Sequence, residues 1–137
     1  MYELNILAKV ANLDEVIAFL DDIMEKHQIA QKIRTQLDIA VEEIFVNIAH
    51  YGYPKEDGTA QICVTLENNC FFIRFRDQGT PYDPLQKKDP DITLSADDRP
   101  IGGLGIFMVK KSMDDVSYEY KDGCNVLLIK KQLLPAE

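Results

Sequence analysis

The chain has 137 residues, of which 46% are hydrophobic, enough for one domain with a substantial core. Fifteen basic and twenty-three acidic residues give a formal net charge of −8, which opposes direct binding of nucleic acid or of an anionic membrane surface. The longest nearly apolar run, Ile101 to Val109, is much shorter than the roughly 20 residues that span a bilayer, and no signal peptide is recognised. Three widely spaced cysteines indicate reduced thiols. We therefore expect a soluble, cytoplasmic protein whose partners are proteins or nucleotides.

The first part of the chain is predicted to form a strand followed by two helices. Alternating apolar residues from Leu4 to Val10 predict a half-buried strand. Asn12 and Glu15 have the spacing of a capping box, and the apolar stripe that follows predicts an amphipathic helix to about Lys26. A second helix, from about Ile29 to His50, is predicted by apolar residues at spacings of four and three.

The rest of the chain is predicted to form two hairpins, a loop and a third helix. Asn68-Asn69 separates two alternating apolar runs, and Asp122-Gly123 does the same near the end of the chain. Between the hairpins lie a long loop rich in proline and aspartate and a helix from about Leu104 to Met113. This order predicts a single α+β domain over residues 1–137, a two-layer sandwich with a mixed, mainly antiparallel sheet and helices on one face.

Glu43 and Asn47 are spaced four residues apart on the second helix, so they share one face of it beside the apolar stripe. A carboxylate can accept a proton, and an amide oxygen is a hard ligand that suits Mg²⁺ beside phosphate oxygens. Taken alone, such a pair is more often a solvated glutamate beside an incidental asparagine, because short two-residue patterns recur by chance, and Glu42 is a near-equivalent carboxylate. The pair therefore indicates chemistry only in combination with other segments.

Two glycine-containing segments supply that combination. Asp77 ends a hydrophobic strand and precedes Gly79, so its carboxylate could accept a hydrogen bond from an exocyclic amine, although an ordinary strand-ending turn has the same pattern. Residues 102–105 precede the third helix, whose N-terminal amides and dipole favour phosphate, although a merely flexible start of a helix has the same composition.

Taken together, the three segments resemble the nucleotide-binding boxes of the GHKL ATPase superfamily in order and spacing. The resemblance is closest to the RsbW-like anti-sigma-factor serine/threonine protein kinases, and it covers nearly the whole chain. The residues that carry it are Val41–Tyr51, Asp77–Pro84 and Gly102–Val109. It implies the Bergerat ATP-binding fold.

The resemblance also implies roles for individual residues. Glu43 would be the general base toward a protein serine, Asn47 the Mg²⁺ ligand, and Asp77 the acceptor for the adenine amino group of ATP. Residues 78–101 would form the lid that closes over ATP. The pocket and the phosphate cradle would be formed by Gly79, Gly103, Leu104 and Gly105.

Two positions depart from the family pattern. Relatives often carry threonine after the glycine of the last hairpin, where it helps to hold the adenine, whereas Cys124 follows Gly123 here. A weaker water-mediated contact with adenine is therefore expected. Arg99 matches only loosely the lid arginine that approaches the γ-phosphate in some relatives, and we assign it no catalytic role.

The resemblance implies an anti-sigma-factor antagonist of the STAS type as the protein substrate. It leaves open the binding of a sigma factor and the formation of a homodimer. Two other functions also stay open. One is a regulatory ATP-binding module that switches partners without phosphorylating anything, and the other is an acidic interaction domain that has lost nucleotide binding.

Overall fold

The computed structural model describes residues 1–53, 57–86 and 104–133. Predicted features that fall elsewhere, including Gly103, Arg99 and most of the lid, lie outside the described residues. None of the three described helices has the length and apolar character needed to span a membrane. The helices and strands are β1 (Tyr2–Leu7), α1 (Leu13–Lys26), α2 (Gln31–Asn47), β2 (Thr59–Glu67), β3 (Cys70–Asp77), α3 (Leu104–Ser112), β4 (Asp115–Lys121) and β5 (Cys124–Gln132).

The five strands form one sheet in the order β1-β2-β3-β5-β4. All four pairings in the described part of the chain are antiparallel, which confirms the mainly antiparallel sheet, and no parallel pair is among them. Both predicted hairpins are present. Their turn residues Asn68, Asn69, Asp122 and Gly123 have φ of 52°, 62°, 55° and 77°, the left-handed conformation that a tight two-residue hairpin requires.

One face of the sheet packs against the helices, as the alternation of apolar residues predicts. Burying each large apolar side chain stabilises the fold by roughly 1.5–3 kcal/mol. This common core positions the C-terminal half of α2 over β3 and β5. Its largest fully buried side chains are Val16, Leu20 and Met24 of α1, Leu37, Val41, Ile44 and Phe45 of α2, Ile62 of β2, Phe71, Ile73 and Phe75 of β3, and Ile129 of β5.

Several predicted boundaries differ from the structure. The first strand ends at Leu7, and the predicted capping box is wrong, because the Asn12 side chain makes no cap and instead donates through Nδ2 to the Leu7 carbonyl oxygen at 3.0 Å. The second helix ends at Asn47 and continues as a π-helical turn over Ile48–Gly52. Such wider turns are frequent at functional sites, and this one brings Gly52 to the end of β3.

Candidate nucleotide-binding site

A pocket lies between the end of α2 and the adjacent ends of β3 and β5. It holds ≈ 390 Å³ of empty space, including the part that opens to solvent. Its walls are mainly apolar and carry a few polar groups, the composition of a small-molecule site. The lining residues are Ile44, Asn47, Ile48, Gly52, Phe75, Asp77, Tyr82, Pro84, Tyr118, Asn125 and Leu127.

Asp77 is the buried carboxylate of this pocket and is only 5% exposed. Its Oδ1 accepts hydrogen bonds from the Gly79 backbone N–H at 2.9 Å and from Asn125 Nδ2 at 3.0 Å. Burial raises the pKa of Asp77 above its ordinary value, while these two hydrogen bonds act in the opposite direction. Within the described residues Oδ2 accepts no hydrogen bond, so it is available to an N–H donor of a ligand.

Gly79 allows the segment after Asp77 to lie against the end of α2. A Cβ added to Gly79 would stand 2.3 Å from the Gly52 carbonyl oxygen, which is backbone and cannot easily move. The next residue, Thr80, donates its N–H to that same oxygen at 2.7 Å. The close approach therefore requires glycine and fixes the backbone of the first residues after Asp77.

Glu43 and Asn47 lie together on α2, and Asn47 Nδ2 donates to Glu43 Oε1 at 3.4 Å. The Glu43 carboxylate packs on the first turn of α3, because a Cβ added to Gly105 would stand 2.2 Å from Glu43 Cδ. Leu104 begins this helix. The structure thus brings Glu43, Asn47 and Gly105 together, and Asn47 also lines the pocket that contains Asp77.

The rival carboxylate Glu42 is exposed and is not among the residues that line the pocket, and its charge acts on Asp38, which forms a hydrogen bond with Asp21 of α1. It is therefore separated from the pocket, as the one-residue offset on a helix requires.

The side chains at Asn47 fit a magnesium ion that is bound together with phosphate. In the described ranges no group of three or more His, Cys, Asp or Glu residues could hold a metal by itself. Asn47 offers one amide oxygen, and Glu43 is the adjacent carboxylate. Because Mg²⁺ is often held by one or two protein oxygens with phosphates and waters completing its ligands, so small a donor set suits it.

Asn125 is a pocket residue that the sequence analysis missed. In the antiparallel register it pairs with Asp77, and it is only 6% exposed. Neighbouring residues of a strand point to opposite faces, so Cys124 faces the other side of the sheet, where it lies with Arg76. Counting back by twos from the buried Leu127 and Ile129 puts Asn125 on their face of β5, but only the register shows that it meets Asp77.

Two tyrosines stack beside the pocket. The rings of Tyr51 and Tyr82 lie 4.7 Å apart between centroids at an interplanar angle of 17°. The Tyr82 backbone N–H also donates to Asn125 Oδ1 at 3.1 Å. The segment after Asp77 is thus held by both the end of α2 and the start of β5.

The sequence of residues 6–131 matches the family described as the histidine kinase-like ATPase domain. Because the match spans nearly the whole chain, the chain belongs to this family. The α+β fold agrees with that class.

Two relatives that the sequence matches are named as protein kinases. The chain is 25% identical over 134 residues, covering 97% of this chain and 93% of the relative, to the serine/threonine-protein kinase BtrW of Bordetella bronchiseptica. It is 31% identical over 99 residues to the serine-protein kinase RsbW of Listeria monocytogenes, covering 69% of this chain and 63% of that protein. The matched part is therefore less than two thirds of the Listeria kinase.

A solved structure shows the same fold. The crystal structure of RsbU and RsbW domains from Mycobacterium tuberculosis superposes with a TM-score of 0.65 at 13% sequence identity. The superposition covers 100% of this chain and 34% of that one. At this sequence identity the structural similarity shows a shared fold and nothing further, and it confirms the predicted α+β sandwich.

Proposed function

We propose that this chain is an ATP-dependent serine/threonine protein kinase that phosphorylates an anti-sigma-factor antagonist of the STAS type. The observation that carries the proposal is that Glu43 contacts both Gly105 and Asn47, and that Asn47 lines the pocket that contains Asp77. The kinase names of the relatives from Bordetella and Listeria support it.

In this proposal the two ends of ATP are bound by different elements. The adenine amino group donates to Asp77 Oδ2, and the apolar side chains Ile44, Phe75 and Leu127 contact the base. The phosphates extend toward the first turn of α3, where free backbone N–H groups and the helix dipole favour negative charge. Gly79 and residues 103–105 form the cradle, and residues 78–101 cover it.

Magnesium would neutralise charge on the phosphates, with the Asn47 amide oxygen as its protein ligand. Glu43 stands beside Asn47 and accepts the proton of the substrate serine. The serine oxygen forms a bond to the γ-phosphorus while the bond from that phosphorus to the β–γ bridging oxygen breaks. ADP leaves with the bonding electron pair, the protein carries phosphoserine, and the proton on Glu43 passes to water.

The proposal extends to partners and location. The resemblance adds a sigma factor as a candidate second protein partner, which would make the chain a regulator of transcription. It also adds a homodimer in the cytoplasm as the candidate assembly. These parts rest on the resemblance to the RsbW-like kinases.

The test is phosphoryl transfer from labelled ATP to a candidate antagonist domain, with mapping of the phosphorylated residue. Glu43→Gln keeps the shape of the side chain and removes the proton acceptor, so transfer should fall at least about 100-fold while ATP still binds. Glu42→Gln is the matched control, since this neighbour is exposed and should leave transfer unchanged.

Three other outcomes would contradict parts of this proposal. Equal transfer by the Glu43→Gln protein would refute its role as the base. ATP binding by the wild type without transfer to any antagonist would favour the partner-switching module. Absence of binding at millimolar ATP would favour the interaction domain.

A further inference from the structure

We propose that Asn125 is the positioning residue for base recognition. It holds the Asp77 carboxylate so that Oδ2 faces the base, and it links that carboxylate to residues 79–82, which follow it in the chain. This inference rests on the proposed role of Asp77 as the adenine acceptor. Asn125 is buried, and its amide lies in the middle of a polar network at the ends of β3 and β5.

The network fixes which way the Asn125 amide points. The backbone N–H of Tyr82, 3.1 Å from one amide atom of Asn125, can only donate, so that atom is the carbonyl oxygen. The hydroxyl of Tyr118 donates to the same oxygen. The NH₂ group must therefore face the other way, toward groups that can accept.

Those acceptors are Asp77 and two backbone carbonyls. Asn125 Nδ2 lies 3.0 Å from Asp77 Oδ1, 3.0 Å from the Thr80 carbonyl oxygen and 3.4 Å from the Gly79 carbonyl oxygen. Both of its hydrogens are used, and its oxygen accepts two bonds, so the amide has no capacity left for a ligand. Asn125 therefore acts on the base through Asp77, whose Oδ1 it holds while Oδ2 remains available.

The experiment compares binding of ATP with binding of purine riboside 5′-triphosphate, which lacks only the exocyclic amino group. Wild type should prefer ATP by about 10- to 100-fold, because one hydrogen bond to a charged acceptor distinguishes the two. Asn125→Ala should reduce the preference to less than about 3-fold, because without the hydrogen bond from Asn125 the Asp77 carboxylate is no longer oriented to accept from the adenine amino group. A residue that only stabilises the fold would weaken binding of both nucleotides equally and keep their ratio.

Two further variants keep the test decisive. Cys124→Ala removes a buried side chain from the neighbouring position that faces the other side of the sheet, so it should keep the full preference for ATP. If Asn125→Ala does not fold, Tyr118→Phe removes one of the two donors that orient the amide and should lower the preference about 3-fold. An unchanged ratio in Asn125→Ala, or in Tyr118→Phe where that variant stands in for it, would overturn the inference.

A measurement without nucleotide separates this inference from the proposed function. If wild type binds no ATP, the proposed function fails, and NMR titration of the Asp77 carboxyl still tests the positioning contact. Because the Asn125 hydrogen bond lowers the pKa of Asp77, Asn125→Ala should raise that pKa further. An unchanged pKa would show that Asn125 does not hold the carboxylate.

Discussion

Replacing Gly105 by alanine tests whether the position of the Glu43 carboxylate matters for transfer. The new Cβ would stand 2.2 Å from Glu43 Cδ and 2.3 and 2.4 Å from its two carboxylate oxygens. Since carbon atoms in contact are normally about 3.5–4.0 Å apart, the carboxylate must move by at least about 1 Å. It lies at the end of a flexible side chain, so the helix can stay in place while Glu43 moves.

Stability and activity should therefore change in opposite directions. Gly105 lies in the first turn of α3, where alanine is favoured over glycine by at most about 0.5–1 kcal/mol, so Gly105→Ala should leave the melting temperature unchanged or raise it. Displacement of the proposed base by about 1 Å should lower the rate of transfer by about 100-fold. Thermal denaturation and the labelled-ATP assay on the same protein preparation measure the two effects.

Gly123→Ala provides the converse control. Among the residues that the structure describes, no heavy atom lies within 4 Å of the Cβ that alanine would add at this position, but the φ of 77° is unfavourable for alanine. The variant should lose about 1 kcal/mol of stability and, at a temperature where it is folded, transfer phosphate at the wild-type rate. A Gly105→Ala protein that transfers phosphate within about 2-fold of wild type would refute the proposed importance of the Glu43 position.

Two other substitutions have expected outcomes of different kinds. Gly79→Ala should destabilise the fold by about 1–3 kcal/mol and abolish ATP binding, because the added Cβ meets the Gly52 backbone. Denaturation measures the stability and calorimetry measures the binding of ATP. Wild-type values for both would contradict the close approach of Gly79 to Gly52. The second concerns Asp38, whose pKa is raised to about 7, mainly by burial and then by the hydrogen bond with Asp21 and the negative charge of Asp21. Between about pH 4 and about pH 7 the folded chain therefore holds a proton that the unfolded chain releases. The free energy of unfolding falls as the pH rises through this range. Asp38→Asn should remove this pH dependence and stabilise the fold above that range by about 1 kcal/mol after solvent screening. Urea denaturation at several pH values measures the free energy of unfolding of both proteins. The same pH dependence in wild type and variant would show that Asp38 does not titrate in this way.

Local periodicity was sufficient to predict the helices and strands. The stripe of Leu37, Val41 and Ile44 has the spacing of a helix, and the alternation of Phe71, Ile73 and Phe75 has the spacing of a strand. Each pattern reports which side chains face the core, and burial of those side chains is what stabilises the elements. The α+β class followed from their order.

The ends of elements were predicted less well because they depend on distant residues. Ile48 continues the helical stripe of α2, yet the backbone widens into a π-helical turn where Gly52 meets Gly79 and Thr80. Asn12 has the residue type of a helix cap, yet its amide bonds to the Leu7 carbonyl oxygen instead. Neither contact has a signal in the local sequence.

In the candidate site, too, local spacing predicted some residues, whereas others depend on contacts between distant parts of the chain. Glu43 and Asn47 could be paired from their spacing on one helix, and Asp77 from its position at the end of a strand. The contact between Asp77 and Asn125 depends on the register of β3 with β5, two strands that are distant in the sequence, so no local spacing reveals it. The sequence therefore identified the separate segments, and the sheet register added the side chain that joins them.

The most direct test of the central claim is calorimetric titration of ATP, with and without magnesium, into wild type and Asp77→Asn. The substitution presents an NH₂ group where the adenine amino group should donate, while preserving the size of the side chain. We predict that wild type binds ATP more tightly with magnesium and that Asp77→Asn weakens binding by at least about 10-fold. Equal affinity of the two proteins, or no binding by wild type at millimolar ATP, would contradict the assignment of this pocket to ATP.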